Sequence, residues 1–280
     1  MASQLVHLPD IERLSPACIR ILGGNPSKFT LQGTNTYLIG TGPDRLLIDT
    51  GEGKPSWIAA LKQTLEEEKA TIQSILITHW HHDHTGGIKE LLEHSPKTAV
   101  YKYQPEEGQL AISEGQKFQV EGATLTAVHT PGHTTDHIAF VLQEEDALFT
   151  GDNVLGQGTA VFEDLSIYLA SLAKMEKLVA GRGYPGHGPV LPKASATITE
   201  YISHRQQREK QVLQTLASAK EDGDIWTPME LVKVIYCDVP ESLHLPAARG
   251  VGEILRKLRG EDKVVLEGED KWRLKNRSSL

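Results

Sequence analysis

Short apolar runs closed by glycine, proline or asparagine recur through the first part of the chain, the pattern of successive strands. Residues 17–24, 35–40 and 45–51 read as three of them, the last two joined by a Gly-Pro-Asp turn. Trp57, Ile58, Leu61 and Leu65 then recur at helical spacing and predict a surface helix over 57–68. Strand character returns at 72–77. A helix follows from Gly87 to His94, whose terminal imidazole suits the negative end of a helix dipole. Further strands are expected at 99–101, 117–120 and 122–128, and 138–142 with 147–149 read as a hairpin-like pair. Leu165, Tyr168, Leu169, Leu172 and Met175 form the core-facing stripe of a helix near 164–179, and 184–189 reads as a rigid turn presenting one histidine. The expected class is α/β.

From about Ala194 the pattern changes to long helical stretches with charged faces, which divides the chain into a first domain over 1–195 and a module over 196–280. Thr227-Pro228-Met229-Glu230 has the form of a helix start, with threonine as cap, proline at the first position and glutamate three residues on. Residues 263–266 and 272–274 read as a hairpin around an acidic-glycine turn. Helices followed by a small hairpin suggest a winged-helix-like shape. Arg249, Arg256, Lys257 and Arg259 read as a solvated face, since they do not form the dense basic stripe of a nucleic-acid contact.

Composition narrows the function classes. The 280 residues carry a net charge of −8, which gives no general attraction to nucleic acid or to a membrane, although a local cationic patch could still hold a phosphate. Two cysteines, Cys18 and Cys237, imply no disulfide framework and point to a reducing compartment. Residues 1–10 lack the basic start and apolar core of a secretory signal, and no run is long enough to span a membrane. The expected location is cytoplasmic, without a membrane partner.

The chemistry concentrates in 78–87, Thr-His-Trp-His-His-Asp-His-Thr-Gly-Gly, directly after the apolar run Ile75-Leu76-Ile77. Imidazole and carboxylate together suit zinc and similar borderline metals. Further candidates recur after their own apolar runs, giving His79, His81, Asp83, His84, His133, Asp152 and His187. Seven donors exceed one tetrahedral zinc and suit two ions sharing a carboxylate. Two such ions would lower the pKa of a bridging water and polarise a carbonyl or phosphoryl oxygen, so metal-assisted hydrolysis is the expected reaction.

The spacing His79-x-His81-x-Asp83-His84, with His133, Asp152 and His187 downstream, resembles the metallo-β-lactamase superfamily. The resemblance covers roughly 15–195 and implies an αββα sandwich with a C-terminal module that forms one wall of the active-site cleft. It also implies that His79, His81 and His133 take one metal, that Asp83, His84 and His187 take the other, and that Asp152 bridges. Asp83 would additionally orient the attacking hydroxide or relay a proton. Two zinc ions per chain are implied, with manganese or iron compatible with the same donors. Residues 29–38, 161–165 and 201–205 resemble a narrower branch that holds fungal polyketide-releasing thioesterases and an animal mitochondrial endoribonuclease. The implied substrate is an acyl thioester on an acyl-carrier protein or polyketide synthase, with single-stranded RNA as the alternative. Carrier proteins are acidic, so docking would use a local basic face such as Arg205, Arg208 and Lys210.

Other polar residues near these loops carry two readings each. Asp49 is either an outer support of the metal loop or a turn carboxylate satisfying backbone amides. His137 either lines the substrate cleft or bonds a ligand carboxylate. His82 points away from the ligands by strand-like alternation, His129 is structural, and His204 lies on a solvated charged face.

Overall fold

Leu46-Leu47-Ile48 and Tyr37-Leu38-Ile39 are apolar at every position because their strands are buried on both sides, with successive side chains entering two different cores. The computed structural model describes residues 5–218 and 224–275; residues 1–4, part of the segment read for a signal, lie outside them. Met1–Phe162 with Ile167–Thr199 form one unit, and Glu163–Ser166 with Glu200–Leu280 form the other.

In the first unit, β1 (Ile11–Ser15), β2 (Cys18–Leu22), β3 (Asn35–Ile39) and β4 (Asp44–Ile48) pair antiparallel in sequence order. After α1 (Pro55–Glu67), β5 (Thr71–Leu76) joins β4 in parallel. The chain then makes the one-turn helix α2 (His82–Thr85), helix α3 (Ile88–His94), and the parallel strands β6 (Ala99–Lys102) and β7 (Leu110–Ala111). The second sheet contains β8 (Lys117–Val120), β9 (Ala123–His129), β10 (Ile138–Leu142), β11 (Ala147–Gly151) and, beyond α4 (Leu165–Met175), β12 (Gly183–Pro185). Its strands run antiparallel except for the β11–β12 pair.

The two sheets meet over one core. Cys18, Tyr37, Ile39, Leu46, Ile48 and Leu76 face Leu125, Ala127, Ile138, Phe140, Phe149 and Tyr184. The alternate residues of the first sheet, Ile19, Ile21, Leu38, Leu47 and Ile75, pack instead under Trp57, Leu61 and Leu65 of α1 and Leu91 of α3. This is the α/β sandwich of mixed sheets expected from the sequence. Three short strands escaped the pattern; β12, of three residues, opens the stretch read as a rigid turn. β1 is a half-buried edge strand, and β7 has only two residues, too few for any periodicity.

The second unit takes up most of α5 (Ala194–Ala217) and adds α6 (Pro228–Ile235), α7 (His244–Gly260) and the hairpin β13 (Val264–Leu266) and β14 (Trp272–Leu274). The cap at Thr227 forms as expected: its hydroxyl accepts the Glu230 amide and Glu230 reaches back to the Thr227 amide. Val251, Ile254, Leu255 and Leu258 are the buried side of α7, while Arg249, Arg256 and Arg259 lie exposed on its other side. Among the described residues no helix is long and apolar enough to cross a membrane.

Candidate metal centre

The site lies where strands of both sheets end together. β5 runs into the histidine loop, β9 and β10 are joined by 130–137, β11 leads directly into Asp152, and β12 leads through Gly186 to His187. Backbone bonds lock these ends: the Ile138 amide donates to Thr78 O at 2.7 Å, Gly186 to Gly151 O at 2.9 Å, and Asn35 to Gly186 O at 2.7 Å.

Seven donors gather into two groups. His79, His81, His133 and Asp152 form one, and Asp83, His84 and His187 the other. His79 Nε2 and His133 Nε2 each lie 3.0 Å from His81 Nδ1. Nitrogens bound to one tetrahedral zinc at about 2.0–2.1 Å sit roughly 3.3 Å apart, so these three suit one ion after a small outward movement. In the second group His187 Nε2 is 3.2 Å and His84 Nε2 3.3 Å from Asp83 Oδ2. Asp152 reaches both groups, with Oδ1 at 3.4 Å from His84 Nε2 and Oδ2 at 3.2 Å from His187 Nε2 and 3.7 Å from His133 Nε2. His84 Nε2 and Asp152 Oδ1 are buried without an aligned hydrogen-bond partner, an arrangement that a cation between them would satisfy. The donor set therefore fits metal ions.

The other face of each imidazole fixes which nitrogen turns inward. Asp49 is a pure acceptor, so His84 Nδ1 donates to its Oδ2 at 2.8 Å and Nε2 is the nitrogen turned to the site, whose lone pair a bound metal would take. Thr78 Oγ1 gives its single proton to Asp49 Oδ2 at 2.8 Å and must accept from His79 Nδ1 at 3.0 Å, which frees His79 Nε2 as well. His133 Nδ1 donates to Val161 O at 2.8 Å. Asp49 also accepts the Thr78 amide at 2.8 Å. Both readings of this residue hold together: it satisfies a backbone amide and supports the histidines. Its φ of 59° lies in the left-handed region that Asp and Asn tolerate.

Charge is distributed accordingly. Burial, followed by the neighbouring His84, holds His79 well below the usual imidazole range. Burial would lower His187 too, but the Asp152 and Asp83 carboxylates outweigh it and push His187 up to about 9. The carboxylates of Asp152 and Asp49 likewise outweigh burial at His84 and raise it. Burial would raise Asp83 and Asp152, yet the facing imidazoles hold both well below the carboxylate range.

Several expectations change in detail. His137 is fully buried, so it does not line a cleft. Nor does it bond a ligand carboxylate: its Nε2 accepts the Asp152 backbone amide at 3.2 Å, while Nδ1 lies 2.9 Å from Thr130 Oγ1. It positions Asp152 through the backbone. His82 is exposed, but because it opens the one-turn α2, not through strand alternation. His129 is structural as expected, stacked on Tyr103 with ring centroids 3.9 Å apart.

Other supporting residues were not singled out from sequence. Thr34 Oγ1 donates to Asp83 Oδ2 at 3.2 Å and is itself held by Asn25. Asn35 Nδ2 donates to the carbonyls of Pro185 and Gly188, and Tyr37 OH to Pro185 O, fixing the turn that presents His187. Gly186 is required by a close approach, since a Cβ there would sit 2.2 Å from Asp152 Oδ1. A signal was present: Thr34-Asn35-Thr36 is a polar triplet at the head of an apolar strand, and all three are buried.

The family model described as the metallo-beta-lactamase superfamily matches residues 29–187, and that of the beta-lactamase associated winged helix domain matches 227–272. An atrochrysone carboxyl ACP thioesterase of Aspergillus chevalieri is 48% identical over 96% of this chain and 91% of its own length. Thioesterase pkgB of Emericella nidulans is 53% identical over 77% of this chain and 64% of its own length. A beta-lactamase domain protein from Burkholderia ambifaria has the same fold, with a TM-score of 0.80 over 98% of this chain and 96% of its own at 17% identity.

Proposed function

The chain belongs to the metallo-beta-lactamase superfamily, and we propose that it is a metal-dependent thioesterase that releases an acyl chain, of the polyketide type, from an acyl-carrier protein. The observation that carries this reading is the co-occurrence of a complete donor set with near full-length similarity to relatives named as ACP thioesterases. His79, His81 and His133 would hold one ion and Asp83, His84 and His187 a second, with Asp152 shared; zinc suits this nitrogen-rich set. Bound there, the ions supply Lewis acidity toward the thioester carbonyl and a lowered pKa for water.

The chain's own residues complete the reaction. Asp83 is held ionised, its side chain is a quarter exposed, and Thr34 fixes one of its oxygens. In this reading Asp83 accepts a proton as water adds to the carbonyl carbon. The carbon–sulfur bond then breaks and Asp83 passes the proton to the departing thiolate, giving a carboxylic acid and the carrier thiol. His137 and Asn35 do not touch substrate; they hold Asp152 and the His187 turn.

An acidic carrier would meet less repulsion at the C-terminal part of the chain. Residues 201–280 hold 14 of the 29 Lys and Arg and 13 of the 37 Asp and Glu, a net of +1 against −9 for residues 1–200. Arg208, on the face first considered for docking, stacks over Tyr236 at 4.6 Å and donates to Gln211, and Arg256 pairs with Glu253, which leaves the exposed Arg249 and Arg259 of α7 better placed.

The test offers metal-loaded protein an acyl thioester and a single-stranded RNA in parallel, with Asp152→Ala as control. Thioester turnover that disappears in the variant, with RNA intact, is the expected result. RNA cleavage that disappears in the variant, with thioester untouched, would overturn the thioesterase reading.

A further inference from the structure

Asn25 is a buried carboxamide outside both donor groups, yet the segment from it to Thr34 is tied down at every turn. The Gly23 amide donates to Thr34 O at 2.7 Å, the Gly33 amide to Thr30 O at 2.9 Å, and the Thr30 hydroxyl to Asn25 O at 2.5 Å. Leu31 sits at φ 57°, a left-handed conformation that leucine keeps only where its surroundings impose it. The Asn25 side chain lies between two glycines. A Cβ at Gly23 would fall 2.7 Å from its Oδ1, and one at Gly33 3.2 Å from it. Both side-chain bonds of Asn25 go to Thr34.

The proton positions follow from these bonds. The Thr34 amide can only donate, so the atom facing it at 2.9 Å is the Asn25 oxygen, and the Asn25 NH2 faces Thr34 Oγ1 at 3.1 Å. Thr34 Oγ1 therefore accepts from Asn25, and its single proton turns to Asp83 Oδ2 at 3.2 Å. The same Asp83 oxygen faces His187 Nε2 at 3.2 Å and His84 Nε2 at 3.3 Å. The group of His79, His81 and His133 is supported separately, through Thr78 and the Val161 carbonyl. We propose that Asn25 is a positioning residue: acting through the Thr34 hydroxyl, it fixes the Asp83 carboxylate for the ion of the Asp83, His84 and His187 group. The proposal rests on the two-ion reading of the site, and its consequence for turnover rests on the thioesterase reading.

The test is a double-mutant cycle on zinc affinity, read as two stepwise constants by competition with a chromophoric chelator. It compares wild type, Asn25→Ala, Thr34→Val and the double variant. Loss of one outer partner lowers metal affinity about 10–100-fold, so each single variant should weaken one constant at least about tenfold and leave the other within about twofold. The double variant should lie within about twofold of Thr34→Val, because Asn25 then has no hydroxyl to direct. Thr34→Ser, which keeps the hydroxyl, should recover most of the loss. Additive losses in the double variant, an unchanged constant in Asn25→Ala, or equal weakening of both ions would each overturn the proposal. Asn25→Ser keeps a polar side chain between the glycines but is too short to bond both Thr34 groups, and it takes the place of Asn25→Ala in the cycle should that variant not fold. With zinc saturating, kcat for an acyl thioester should fall in Asn25→Ala while KM stays within about twofold. A wild type that binds only one zinc removes the site itself, whereas two ions bound with unchanged affinities in the variants remove only the role of Asn25. Should wild type hydrolyse no thioester, the thioesterase reading fails and the zinc cycle alone decides the proposal.

Discussion

Asp49→Asn isolates the part of the site that decides which imidazole nitrogens face inward. The carboxylate accepts three hydrogen bonds at 2.8 Å, from the Thr78 amide, the Thr78 hydroxyl and His84 Nδ1, and it is buried. The introduced amide has nearly the same shape and tolerates the φ of 59°, so the turn is retained. Its oxygen can still accept the Thr78 amide, but its NH2 now faces Thr78 Oγ1 and His84 Nδ1 and must donate. His84 then has to accept at Nδ1 and carry its proton on Nε2, the nitrogen turned toward the site. The Thr78 hydroxyl, accepting from the amide, turns its own proton toward His79 Nδ1, so His79 reverses in the same way. One exchange of oxygen for NH2 thus removes a ligand lone pair from each donor group. Loss of a single outer partner typically lowers metal affinity about 10–100-fold, or roughly 1.4–2.8 kcal/mol. Zinc competition against a chromophoric chelator should show weakening of that size at both sites. Urea melts of the metal-free variant should show a loss of only about 1–3 kcal/mol. Zinc affinity within about twofold of wild type, with the fold intact, would refute the tautomer argument and reduce Asp49 to a turn residue.

Three other outcomes follow from the same geometry. Gly186→Ala places a methyl 2.2 Å from Asp152 Oδ1 and 3.0 Å from His84 Cε1; thioester turnover should fall at least about 100-fold with circular dichroism unchanged, and retained turnover would contradict the close approach. Lys102→Met leaves the fully buried Asp136 without the ammonium that lies 3.2 Å away and should destabilise the protein by about 3–5 kcal/mol in urea melts, a loss that adding Asp136→Asn should partly reverse. For the metal-free protein, His187 is raised from about 6.5 to about 9, so its contribution is fully present below about pH 6.5 and is lost as pH rises through about 9. At about 1.4 kcal/mol per pKa unit the loss amounts to roughly 3 kcal/mol, and stability that is flat between about pH 6 and 9 in chelator would contradict it. Zinc-loaded protein should instead lose stability toward acid, as protons compete with the metal for the same imidazoles.

The strand and helix order was legible because burial on two faces leaves continuous apolar runs, and because Trp57, Leu61 and Leu65 or Leu165, Tyr168 and Leu172 repeat at helical spacing. The donor set was legible for a different reason. Histidine and aspartate at alternate positions after an apolar strand are chemically marked, and the folded chain does gather all seven. What supports them was hidden by distance along the chain. Asn35 is 150 residues from the Pro185 carbonyl it holds, and Thr34 is 49 residues from Asp83. No local pattern encodes such a contact. The exposure of His82 was read correctly on a mistaken ground, because α2 has only four residues and so shows no period.

The two residues with divided readings show where such reasoning runs out. For Asp49 the alternatives were not exclusive: a buried carboxylate has two oxygens with several lone pairs, and one of them can serve a backbone amide while the other serves a hydroxyl and an imidazole. For His137 both alternatives missed, because each assumed that an imidazole beside the centre must use its side to face substrate or ligand. Its ring lies beneath the centre, 5.5 Å from the His79 ring, and acts on the main chain. Gly151, with a φ of 48°, makes that contact possible, since a Cβ there would fall 2.4 Å from His137 Nε2. The glycine before Asp152 and the histidine fifteen residues upstream are therefore one device: a side chain can be omitted at 151 so that an imidazole can hold the amide at 152. That the glycine preceding a metal-ligand aspartate needs the space for an imidazole, and not only the backbone freedom, becomes visible once both positions are placed in three dimensions.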